Sequence, residues 1–351
     1  MKKAIAVCLL ILFACPLWAL AESSESIYEM RDEKGRKIMA LCGRIFEGDE
    51  YISGDNLLYL VTEVDDENHL AHAVCRGPEP FDAAASAQQT AQADEKPLIC
   101  IYHTHSDESY IEGDGSESKT RNAGIFDVGD ALTEALQKRG FTVEHSEDTF
   151  LPHDARAYER SRREAAQMAK QTPAAIFDVH RDGIPDESEY ETKVDGEKTS
   201  MVRLLVGRRN QNSAANRAFA KKIKAAADDM YPGLVKDIFI GKGNYNQELY
   251  PNSVLLEFGT HTLDKDLAVS ATGYMADVIA RVLGGDTAKA APKGGGEEEQ
   301  SDSASFHGVI WLILAALIAA GLYALISSGG LAKMKTVFHE MTGGIFGGSR
   351  K

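Results

Sequence analysis

Residues 98–109 read LICIYHTHSDES, a run of strand-forming apolar residues that halts at His103 and His105, with Asp107 and Glu108 close behind. Two later stretches have the same form: AAIFDVHRD carries Asp178, His180, Arg181 and Asp182, and SVLLEFGT carries Glu257. Imidazole nitrogens and carboxylates suit a zinc ion, and three protein ligands leave a position for water. His103 and His105 share a side of an extended chain, so one or both are candidate ligands. Glu108 stands in an H-x-x-E spacing with His105, and His180, from a separate strand, would close the site. Glu257 is the candidate acid/base. Zinc lowers the pKa of bound water to about 7, and a carboxylate beside it can take that proton and pass it to a leaving nitrogen, as amide hydrolysis requires. Asp178 or Asp182 could orient His180, and Arg181 could pair with either aspartate or with a substrate carboxylate. Asn210 and Asn246 could grip substrate, though asparagine is also simply a turn residue. His69, His72, His145, His153, His261 and His339 lack such a setting and are expected to be structural.

From Lys96 to about Gly284, apolar strand-like runs alternate with helical stretches such as GDALTEALQKRG, whose Leu132, Ala135 and Leu136 share one face. That alternation predicts an α/β domain with a mostly parallel sheet and helices on both faces. In open α/β sheets ligands bind beyond the carboxyl ends of the strands, so the three clusters can converge there. Residues 22–81 read as a small β-rich module, 82–95 as a flexible linker and 285–306 as a polar stalk.

The ends suggest an address. Residues 1–21 have Lys2 and Lys3, an apolar stretch and Ala19-Leu20-Ala21, the form of a secretory signal peptide. Val309 to Ile326 carries no charge, and at about 1.5 Å per residue it nearly spans a bilayer core, which predicts a transmembrane helix over 307–327. Lys333, Lys335, Arg350 and Lys351 lie beyond it, so the positive-inside bias puts tail 328–351 in the cytoplasm and the catalytic domain (96–284) outside. The net charge of −15 argues against a non-specific nucleic-acid binder. Cys42 and Cys75 could pair in an oxidising compartment, while Cys100 reads as a small buried residue.

In order, IYHTHSDESY, KRGFTV, FDVHRDG and SVLLEFGT resemble the stage II sporulation protein P family over roughly residues 96–284. The resemblance implies a membrane-anchored, zinc-dependent peptidoglycan hydrolase with an amidase-like fold. It implies cleavage between N-acetylmuramic acid and L-alanine, endopeptidase action on cross-links, and work in engulfment beside a lytic transglycosylase and anchoring membrane proteins. It puts the HTHSDES histidines, Glu108 and His180 at the metal and Glu257 at the acid/base. A zinc peptidase acting only on stem peptides, or a non-catalytic wall-binding scaffold, are the alternatives.

Overall fold

The computed structural model describes residues 26–81, 96–154 and 156–284. The chain divides into two units, Met1–Ala291 and Pro292–Lys351, and the second lies outside the described residues. So do the expected signal peptide, linker, stalk, transmembrane helix and tail.

Strand β6 (Leu98–Tyr102) is buried on both sides because its alternate residues serve two cores. Ile99 and Ile101 pack with Leu132 and Leu136 of helix α1 (Gly124–Lys138), while Cys100 and Tyr102 pack with Ala165 and Met168 of α2 (Ala157–Lys170). Strand β8 (Ala175–Asp182) divides likewise, with Phe177 and Val179 on the α1 side and Ile176 on the α2 side. Helices α3 (Ser213–Met230) and α4 (Lys265–Leu283) share the α1 face. Each boundary has a local cause. Gly140, with φ 89°, follows the end of α1, and Asp264 caps α4 by accepting a hydrogen bond from the Asp266 N–H.

The remaining strands are β1 (Ile27–Arg31), β2 (Lys37–Cys42), β3 (Glu50–Ile52), β4 (Leu57–Asp65), β5 (Leu70–Pro78) and β7 (Thr142–His145). After them come β9 (Glu191–Val194), β10 (Glu197–Ser200), β11 (Val202–Gly207), β12 (Val235–Gly241) and β13 (Ser253–Thr260). One sheet runs β2-β1-β5-β4-β3-β12-β11-β13-β8-β6-β7, and β9 and β10 form a separate hairpin.

This sheet is mixed, which corrects the expectation of a mostly parallel one. Strands β7, β6, β8 and β13 are parallel neighbours, but β11 runs antiparallel to β13. The reason lies in the connections. A parallel return needs a crossover, usually a helix. Neither β8 to β11, joined through the hairpin, nor β12 to β13, joined through a short turn at Gln247–Leu249, has one.

The N-terminal strands, expected as a module, continue the same sheet through an antiparallel β3·β12 pairing. The sheet then curls, and Met39 and Leu41 of β2 join a cluster with Leu205, Phe239 and Leu255. The face opposite α1 is therefore covered by α2 at one end and by β1–β5 at the other. Cys42 and Cys75 are not joined: β1 lies between β2 and β5, with Cys42 opposite Ile27 at its start and Cys75 past its other end.

Candidate active site and metal centre

Because β6, β8 and β13 are parallel, their carboxyl ends share one edge. The loop after β6 carries His105 and Glu108, β8 carries His180, and β13 sets Glu257 in register beside His180 and, on its other side, Arg203 of β11. Glu108 Oε1 lies 3.2 Å from His105 Nδ1 and 3.2 Å from His180 Nδ1. The three ligand atoms all lie within 4.8 Å of one another. Zinc–ligand bonds of about 2.0–2.1 Å in a tetrahedron put neighbouring donors about 3.3 Å apart, so the spacing fits this ion. The chemistry around it fits as well. His180 donates from Nε2 to Asp178 Oδ1 at 2.8 Å, which turns Nδ1 towards Glu108, as a carboxylate orients a metal-binding imidazole. Asp178 is fixed in turn by the Thr104 N–H at 2.9 Å and the Thr104 hydroxyl at 2.7 Å. The other oxygen of Glu108 accepts the Arg181 N–H at 2.9 Å.

Charge follows from this geometry. Burial works to raise Glu108, yet His180, His105 and Arg181 hold its carboxyl well below the usual range. Burial works to lower His180, but Asp178 and Glu108 overcome it and hold the imidazole well above its ordinary value. Burial lowers His105, partly offset by Glu108. A cation held by these three donors would have to displace the proton that this shift favours on His180.

Glu257 behaves differently. Burial and the Asp182 carboxylate push it up to about 8, against the pull of Arg203 and His180. It is 8% exposed and accepts a hydrogen bond from the Tyr190 hydroxyl at 3.1 Å. Together with His105, Glu108 and His180 it lines a cavity of about 170 Å³, closed on another side by Cys42 and Arg44 at the end of β2.

Other expected residues have other jobs. His103, by spacing an alternative or companion to His105, is separated from it by the fold. Strand β6 ends at Tyr102, so alternation stops before it reaches His105. His103 keeps the α1 face of Ile99 and Ile101, packs edge-on against Phe126, donates from Nδ1 to the Val179 carbonyl at 2.8 Å and meets His145 Nε2 at 2.8 Å. Burial and His145 push it down to about 3. Arg181 spends its guanidinium on the carbonyls of Ser109, Asp182 and Glu117, pinning the loop that bears Glu108. Asp182 accepts from Arg203 at 2.8 Å and Tyr190 at 2.9 Å, on the Glu257 side of the site. Asn210 closes its own turn by donating to Gly207 O, and Asn246, at φ 55°, ties its loop to Tyr158 O and Ser161 Oγ.

Several residues at the site were not foreseen. Tyr158 lies 5.5 Å from His105 and 6.4 Å from His180, centroid to centroid, and His153 stacks on His105 at 3.9 Å. Arg203 is wholly buried, yet it was legible as a charge inside the otherwise apolar run VRLLVG.

Comparison with known proteins bears on the whole assembly. A family model described as Stage II sporulation protein P matches residues 61–280. The chain belongs to the stage II sporulation protein P family. The expected resemblance is thus borne out, and the matched span holds every residue of the cluster. Stage II sporulation protein P of Bacillus subtilis is 28% identical over 207 residues, 54% of this chain and 51% of that protein. The chain therefore spans about half the length of that curated relative. Similar solved structures include the N-acetylmuramoyl-L-alanine amidase AmiC2 of Nostoc punctiforme, 16% identical over 54% of this chain and 97% of that one, with a TM-score of 0.35. The N-acetylmuramyl-L-alanine amidase Ami1 of Mycobacterium smegmatis is 17% identical over 54% and 96% of the two chains, with a TM-score of 0.36.

Proposed function

We propose that this chain is a zinc-dependent peptidoglycan hydrolase of sporulation that cleaves the amide between N-acetylmuramic acid and L-alanine, and also peptide cross-links. Its address would be the outer face of the cytoplasmic membrane, tethered by residues 307–327, where a lytic transglycosylase and anchoring membrane proteins would work beside it. The observation that carries the proposal is a buried carboxylate of raised pKa, Glu257, lining the same small cavity as a three-donor cluster of zinc spacing.

His105, Glu108 and His180 would hold the ion, which when bound supplies a Lewis acid and a water of lowered pKa. Glu257, its pKa pushed up to about 8, suits both halves of an amide hydrolysis. Ionised, it takes a proton from the attacking water; protonated, it returns that proton to the nitrogen so that a neutral amine departs. Tyr190 and Arg203 hold its carboxylate on one side, leaving it to face the cavity.

The test is digestion of purified peptidoglycan by the full-length chain, with zinc and with chelator, beside Glu257→Gln. Free stem peptides beginning at L-alanine, absent with chelator and in the variant, are expected by mass spectrometry. Shortened stems alone would replace the amidase with a zinc peptidase, and no products would leave a wall-binding scaffold.

A further inference from the structure

Outside the catalytic cavity, two larger hollows lie along the same face of the sheet. One, of about 590 Å³, shares Tyr158 and Tyr245 with the catalytic cavity; the other, of about 430 Å³, shares Arg44 with it. Arg209 and Lys242 line both. The three form one cleft between α2 and the curled N-terminal strands.

The charges along this cleft do not balance. Arg162 is paired with Glu248, Glu159 with Arg156, Arg44 with Asp66, and Arg208 with Asp49. Among the described residues, neither Arg209 nor Lys242 forms an ion pair; the Lys242 ammonium sits 4.1 Å above the Phe46 ring and also acts on the Asp49 carboxylate, and Glu47 in the same lining is likewise without an ion pair. Two unbridged cations against the single unpaired carboxylate of Glu47 leave this cleft an excess of positive charge, in a chain of net charge −15, that favours an anion.

The placement of that anion can be read from the strand register. Leu205 of β11 faces Leu255 of β13, two residues before Glu257, and β11 runs on to Gly207. At about 3.3 Å per residue, the end of β11 lies about 13 Å along the sheet from Glu257. Arg209 follows two residues later. That span is about four residues of extended peptide.

We infer that Arg209 and Lys242 form a subsite for the terminal carboxylate of a peptidoglycan stem peptide, about four residues from the scissile amide. The inference rests on the proposed substrate. Wall glycan is largely neutral once its lactyl groups are joined to peptide, so the stem supplies the anion. Tyr158 and Tyr245, 5.4 Å apart between centroids, wall the path from the metal centre to this subsite.

Binding tests the subsite without requiring turnover. Zinc-loaded full-length Glu257→Gln chain would be titrated with muropeptides carrying a four-residue stem, as the free C-terminal acid and as the C-terminal amide. The acid is expected to bind about tenfold more tightly than the amide. Adding Arg209→Gln and Lys242→Gln should remove that preference while leaving the amide's affinity unchanged, and Arg209→Lys should keep most of it. Equal binding of acid and amide by the parent would overturn the inference, as would a double substitution that weakens both ligands alike. A chain that released no stem peptides from the wall would refute the proposed hydrolysis, whereas the preference for acid over amide would stand or fall on its own titration.

Discussion

Arg203→Met probes the buried charge network behind the active site. The guanidinium is fully buried and donates to Asp237 at 2.8 and 3.1 Å, to Asp182 at 2.8 Å and to the Ala40 carbonyl at 3.0 Å. Asp237 and Asp182 are themselves buried, so the substitution strands two carboxylates that have lost their cation. Removing one partner of such a network costs about 3–5 kcal/mol. At about 2–4 °C per kcal/mol for a unit of this size, the melting temperature should fall by about 6–20 °C. Adding Asp237→Leu removes one of the stranded charges and should recover part of the loss. The same substitution reaches the chemistry. Arg203 Nη1 is 3.8 Å from Glu257 and pulls its pKa down against burial and Asp182. Without Arg203, Glu257 should ionise at higher pH, so the ascending limb of the kcat/KM profile should move to higher pH. Thermal unfolding by circular dichroism and a pH–rate profile on soluble muropeptides test both. A fall of less than about 2 °C, or a limb that stays put or moves to lower pH, would refute the network.

Four further substitutions separate the histidines and test the helix beneath them. Elemental analysis is expected to find a single bound zinc in the parent, lost in His105→Ala and His180→Ala and retained in His103→Asn; equal loss in all three would return His103 to the ligand set. Burial and His145 hold His103 at about 3 in the folded chain against about 6.5 unfolded, so the unfolded state takes up the proton first. Its contribution, at most about 5 kcal/mol, is fully present above pH 6.5 and is lost as pH falls towards 3; unfolding midpoints in denaturant should fall less steeply over that window in His103→Asn, and parallel curves would refute it. A methyl group on Gly129 of α1 would lie 2.5 Å from His145 Nε2 and 2.6 Å from His103 Nε2. Gly129→Ala should therefore destabilise by about 1–3 kcal/mol despite alanine's better helix propensity, and a gain in stability would show that the histidine pair yields easily.

How far the sequence revealed this site depended on where each residue sat relative to regular structure. His180 and Glu257 lie within strands, and there an apolar run ending or broken by a polar residue points reliably to the sheet edge. His103 and His105 straddle a strand end. The period-two rule that put them on one side expired at Tyr102, and the turn through Thr104 sent them to opposite faces. Two other features left signals that were there to be used. Asp195-Gly196, both at positive φ, is the two-residue turn of the β9–β10 hairpin, flanked by short strands. The stretch between Gly241 and Ser253 has no helical pattern, so the chain had to return antiparallel, which makes the sheet mixed.

The N-terminal strands show a different limit. Their turns and alternation gave their type, but pairing partners across a sheet depend on which edges meet, and short β-runs alone do not specify that. In the fold, their attachment has a chemical consequence. The Ala40 carbonyl accepts from Arg203, and the Cys42 N–H approaches Asp182 Oδ1 at 3.4 Å. Strand β2 therefore finishes the polar shell of Asp182 and Arg203, the two charged groups that after burial act most on the pKa of Glu257, while Cys42 and Arg44 close the cavity that Glu257 faces. A chain lacking β1–β5 would expose one edge of β12, uncover Leu205 and Leu255, and leave Arg203 short of an acceptor. These strands thus help to build the wall and the polar surroundings of the candidate site whose chemical groups β8 and β13 carry.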